Sequence, residues 1–114
     1  MPRQSLGEFE QLVLLAILHL ADEGGTDVYG VPIVDEIERR TSRPASRVAV
    51  YIALRRLEQK GLVNTWMGAP IAERGGKARR CVKVTHTGLQ ALQDARYAMD
   101  QMWAGLDPNL EKNA

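Results

Sequence analysis

The residues of this chain with the clearest chemical purpose are Ser46, Arg47, Val48, Tyr51, Ile52, Arg55 and Arg56. A guanidinium binds phosphate or reaches two acceptors of guanine at once, and a phenol donates to phosphate. Val and Ile methyl groups fit against the methyl of thymine. At about 100° per residue, Val48, Tyr51, Ile52, Arg55, Arg56 and Gln59 fall on one side of a helix. Val50, Ala53, Leu54 and Leu57 fall on the other, as a stripe suited to a core. A merely solvated face would more often alternate Glu and Lys, whereas this one suits an anionic surface with grooves. Ser46 is placed to cap the helix, its oxygen taking an N–H of the first turn. Residues 47–60 contain no Gly or Pro, and Gly61 can end the helix in the left-handed region.

The charge distribution points the same way. The net charge is only +1, yet residues 43–83 hold ten Lys and Arg against two acids, Glu58 and Glu73. The rest of the chain holds five against twelve. A basic middle between acidic ends is the electrostatic footprint of a nucleic-acid reader, and double-stranded DNA is the expected partner. Other classes have little support. The 114 residues contain one cysteine and two histidines, so there is no intrachain disulfide and no zinc cluster, and no cofactor is implied. Neither a nucleophile–base pair nor a phosphate-cradling glycine loop is present, which speaks against an enzyme. No apolar run approaches the roughly 18 residues of a membrane span. The start MPRQSLGEFEQ lacks the layout of a signal peptide, so a cytoplasmic protein without membrane contact is expected.

The elements that must carry the basic helix follow from periodicity and punctuation. Residues 6–21 read as a first helix, apolar nearly all round from Leu12 onward, which implies burial on more than one side. After a turn at DEGGTD, Pro32 suits the first turn of a second helix running to about Thr41, with Ile33, Val34 and Ile37 inward and Asp35, Glu36, Glu38, Arg39 and Arg40 largely outward. Pro44 breaks the chain before the capped basic helix, and helix, short turn, basic helix is the helix-turn-helix layout. Beyond Gly61 the period changes to that of strands over residues 62–67 and 78–85, joined by a loop containing Gly75 and Gly76. This hairpin carries Arg74, Lys77 and Arg79 and reads as a basic wing. Cys81, alone inside a strand, reads as a small hydrophobe rather than a redox switch.

Thr85 caps a last helix from His86 to about Gly105. There Leu92, Ala95, Met99, Met102 and Leu106 are spaced by three and four residues, a seam of about two heptads. With Trp103, and with Phe9 and Leu12 of the first helix, these residues form the expected dimer interface. The expected fold is mainly α with a small β-hairpin, a winged helix-turn-helix domain over residues 1–85. A C-terminal dimerisation helix over 86–106 and a flexible tail over 107–114 complete it.

Five segments in this order resemble the PadR-like transcriptional regulators: LGEFEQLVLLAIL, VYGVPIVDEIERRTSR, VAVYIALRRLEQKGLV, ERGGKARR and VTHTGLQAL. The resemblance covers roughly residues 6–106, with a short single C-terminal helix like the compact branch of that family. It implies a homodimeric repressor on an inverted-repeat operator, released by a small aromatic or lipophilic effector. It implies DNA contacts for Tyr51, Arg55, Arg56, Arg74, Lys77 and Arg79. Two departures stand out: Cys81 and Val82 occupy positions where many members carry aromatic residues, and the last helix has one aromatic pair, Tyr97 and Trp103. The alternative is a winged-helix adaptor that binds proteins rather than specific DNA. Adaptors tend to lose the cations of the reading face, and Arg47, Arg55 and Arg56 are kept.

Overall fold

The computed structural model describes residues 6–23, 28–70 and 78–113. Its elements are α1 (Glu8–Asp22), β1 (Val28–Tyr29), α2 (Gly30–Thr41), α3 (Arg47–Gln59), β2 (Val63–Pro70), β3 (Ala78–Val84) and α4 (His86–Trp103), followed by a 3₁₀ turn over Leu110–Asn113. The architecture is mainly helical with a small three-stranded antiparallel sheet of order β1-β3-β2. β1 is the strand that periodicity does not reveal, since two residues are too few to show alternation. It pairs Val28 with Val82 and Tyr29 with Cys81.

Each helix is ended by a local device. The carboxylate of Glu10 accepts the Gly7 N–H at 3.1 Å at the start of α1. Ser46 Oγ accepts the Ala49 N–H at 3.0 Å, as expected of a cap. Gly61 follows α3 with φ +75°, a conformation that glycine adopts without strain. Between α2 and α3, Glu38 accepts the Ala45 N–H at 2.9 Å and holds the turn.

The core lies where α1, α2 and α3 meet one face of the sheet. Leu14 and Ile17 of α1, Ile33 and Ile37 of α2, Val50 and Leu57 of α3, and Val63 and Val82 of the sheet are buried together. Burial of this size stabilises through the apolar area removed from water, roughly 25 cal/mol per Å². One expected surface residue is inside. Glu36 is 4% exposed, because Arg39 (2.7 Å) and Arg40, three and four residues on, turn back onto its two oxygens. A buried carboxylate needs such partners.

The N-terminus of α4 is fastened to the end of α3. Thr85 donates its backbone N–H to the Leu62 carbonyl at 3.0 Å and its hydroxyl to the Gly61 carbonyl at 2.8 Å. The same hydroxyl oxygen accepts the Gly88 N–H at 3.0 Å. A Cβ on Gly88 would stand 2.2 Å from the Leu62 carbonyl oxygen, so no side chain fits there. Leu92, one turn on, is buried in the protomer's own core. Of the residues expected in a dimer seam, Leu92 is thus placed in the domain, since the Gly88 contact brings that turn of α4 down onto it.

Two outcomes are expected. Gly88→Ala, although Ala favours helix, should cost about 1–3 kcal/mol in denaturant unfolding, because the clash is with backbone. The Glu36 carboxyl is held below the ordinary glutamate value, first by its bond to Arg40 and then by Arg39. A lowered folded-state value means that its stabilisation is complete above about pH 4.5 and fades as pH falls through the folded value. The melting temperature of Glu36→Gln should therefore lie below that of the parent at neutral pH, with the gap closing on acidification. A constant gap would sink this account.

Candidate nucleic-acid interface

The core fixes the orientation of α3. Val50, Ala53 and Leu57 are buried and Leu54 packs beside them. The opposite face is left to solvent: Val48 is 68% exposed, Tyr51 48% and Ile52 49%, with Ser46, Arg47, Arg55 and Arg56 also exposed. The expected reading face is thus one continuous surface.

Ion pairing separates the cations into two groups. Arg43 pairs with Glu8, Lys60 with Glu10 at 3.0 Å, and Arg80 with Glu58 at 3.4 Å. Arg39 and Arg40 are shared between Glu36 and Glu23. Arg47, Arg55, Arg56 and Lys83 form no ion pair among the described residues. Three of those four lie on α3, where unneutralised charge would meet a phosphate backbone.

Cross-strand partners share a face, so Thr65, Val82, Met67 and Arg80 lie on the side of the sheet that turns toward α3. At the near end of this side Glu58 of α3 accepts from the Thr65 hydroxyl of β2, and Arg80 of β3 donates to Thr65 Oγ1 at 3.0 Å and to Glu58. The Thr65 hydroxyl, and then the Arg80 charge, hold the Glu58 carboxyl below its ordinary range. This triad ties the reading helix to the ribbon. Between them runs a cleft of about 320 Å³ lined by Tyr51, Arg55, Glu58, Thr65 and Arg80 among others.

The expected wing cations fare unequally. Arg74 and Lys77 lie outside the described residues. Arg79 does not project from the wing: it is 9% exposed, its guanidinium sits 5.4 Å from the centroid of the Tyr29 ring, and it donates to the Ala69 carbonyl at 3.0 Å. That carbonyl belongs to the irregular stretch between Met67 and Pro70, where the β2–β3 register shifts. Arg79 therefore braces the base of the ribbon rather than standing out from it with the expected wing cations. In the strand Arg79 and Cys81 alternate with Arg80 and Val82, so Arg79 lies on the face away from α3. Cys81 is fully buried there, and a Cβ on Gly68 would come within 2.6 Å of its Sγ.

Of the expected dimer residues, Phe9 and Leu12 pack against the protomer core and Ala95 is half-buried. Met99 (58% exposed), Met102 (77%), Trp103 (56%) and Leu106 (54%) remain on the surface. A groove of about 580 Å³ between α1 and α4 is lined by Leu15, Leu18, Leu89, Leu92 and Met99 among others.

Among the described residues no group of His, Cys, Asp and Glu could hold a metal ion, and no helix is long and apolar enough to cross a membrane. The family model described as "Transcriptional regulator PadR-like family" matches residues 17–94. The chain belongs to the PadR-like family. This PadR-like protein is thus a DNA-binding transcriptional regulator and not an enzyme, and α3 with its ribbon is the matched portion's winged helix-turn-helix.

Solved structures share the fold. A PadR family regulator from Eggerthella lenta is 24% identical with a TM-score of 0.64, covering 86% of this chain and 81% of that one. A PadR family regulator from Clostridium difficile is 22% identical with a TM-score of 0.62, covering 93% and 97%. A transcriptional regulator from Clostridium thermocellum gives 19% and 0.65, covering 82% and 84%. No curated protein matches the sequence.

Because Arg79 is spent inside the ribbon, Arg79→Met in this regulator should lower the melting temperature while leaving the salt dependence of DNA binding unchanged. Arg56→Ala should do the reverse, reducing the slope of log affinity against log salt by about one. A reduced slope for Arg79→Met would show that it does meet phosphate.

Proposed function

We propose that this PadR-like regulator is a homodimeric repressor that binds an inverted-repeat operator through α3. The observation that carries this reading is the exposed face of α3, where Arg47, Arg55 and Arg56 stand without ion pairs among the described residues, beside Val48, Tyr51 and Ile52. Arg47 at the helix start and Tyr51 position the protein on phosphates, while Ser46 holds the first turn in shape. Arg55 reads guanine, Val48 and Ile52 meet thymine methyl groups, and Arg56 adds a phosphate contact. Arg74 and Lys77 supply the wing's contact with the flanking backbone.

Support for a homodimer comes from α4, which packs on the domain through Gly88 and Leu92 while Met99, Met102 and Trp103, and Leu106 just beyond it, are exposed. Three large apolar side chains in one short stretch of surface helix call for a cover, and the α1–α4 groove beside them offers a second copy a place to seat. A two-fold pair would hold two reading helices about 34 Å apart, one turn of DNA, or a multiple of it. A small aromatic or lipophilic effector acting at this Met-containing seam would change that separation and so release the operator.

Fluorescence anisotropy on DNA from upstream of the protein's own gene, against scrambled DNA, tests the reading. Preference for the native fragment by at least about a hundredfold is expected, with Arg55→Ala losing roughly 1–3 kcal/mol on the operator alone. Equal, weak binding to both fragments would favour a protein-binding adaptor instead.

A further inference from the structure

Glycine at position 30 has no backbone reason to be there. It is the first residue of α2, its φ is not positive, and any residue can adopt its conformation. What it lacks is a Cβ, and the space a Cβ would take is filled by Tyr51 of α3. The ideal Cβ would stand 2.9 Å from Cε1 of that ring, and 3.3 Å from both Cζ and the phenol oxygen. No other atom comes as close, so the side chain that must give way is the ring itself. Gly30 is buried while Tyr51 is half exposed, so the ring lies with one side on the start of α2 and the other open to solvent.

We propose that Gly30 is a positioning residue for DNA recognition: by leaving its Cβ site empty it seats the Tyr51 ring against the start of α2 and aims the hydroxyl at the operator backbone. The assignment rests on the reading of α3 as the DNA-contacting helix and extends it to a residue that touches no nucleic acid. A tyrosine on an exposed helix face otherwise samples several rotamers, and fixing one of them lowers the ordering cost of the contact. Gly30 does for Tyr51 what Glu58 and Thr65 do for Arg80, by shape rather than by charge.

The test uses the full chain and the operator, with Gly30→Ala as the central variant. Alanine favours helix over glycine, so its melting temperature should equal or exceed that of the parent. Its operator affinity should nevertheless fall roughly tenfold, the size of one hydrogen bond to a charged group. The slope of log affinity against log salt should not change, because a hydroxyl neutralises no phosphate. Tyr51→Phe, which leaves α2 untouched, should lose as much. In a Tyr51→Ala background, Gly30→Ala should have no further effect on binding. In the free protein, nuclear Overhauser contacts should join the Gly30 α-protons to the Tyr51 ring.

Undiminished affinity in Gly30→Ala, or an equal loss with and without the Tyr51 ring, would overturn the assignment. Absence of the Overhauser contact would overturn the pose while leaving DNA binding intact. Absence of operator preference in the parent would instead overturn the reading on which the assignment rests.

Discussion

Burial of one ridge of α3 governs the rest of the molecule. Val50, Ala53 and Leu57 are held between α1, α2 and the sheet, and a helix turns by about 100° per residue. Slipping that ridge by a single residue would turn the face that Tyr51 and Arg55 share by the same angle, away from where it now points. Which side chains α3 presents to solvent is therefore decided in the core. The ends of the helix are fixed separately, by the Ser46 cap in front and by the Lys60–Glu10 pair and Gly61 behind.

Electrostatics then refines what hydrophobic burial sets up. Counted along the chain, the middle region is strongly basic. In space, acids from α1 and α3 pair with three of those cations, since Glu8, Glu10 and Glu58 each hold one. Among the described residues, the cations of this region left without an ion pair lie mainly on α3. Exposed pairs of this kind add little stability, so their larger effect is on the field the protein presents. A field narrowed to one face orients an approaching duplex better than a diffuse one would.

Much of this was legible in the residues. The three-and-four spacing of apolar positions separates the two faces of α3, and Ser46, Pro44 and Gly61 mark its limits. The order of helix, turn, helix and ribbon follows from such signals. Features that depend on distant parts of the chain were not legible. The two residues of β1 become a strand only because β3 is beside them. Glu36 looks like a surface acid until two arginines on its own helix fold over it. Arg79 looks like a wing cation because charge is visible in a sequence, while the Tyr29 ring that receives it lies fifty residues away. Gly30 carries no local signal at all, since its purpose is to leave room for a ring on another helix.

The sealed position of Cys81 has a consequence for observing the ribbon. It is the chain's one cysteine, fully buried, with Gly68 of the neighbouring strand lying directly over its sulfur. A thiol reagent in solution can reach it when the sheet around it opens, as when β2 lifts away from β3. The rate of alkylation is then the intrinsic rate of the thiol scaled down by the population of that opened form. The protein thus carries its own clock for ribbon opening, readable by mass without any added label.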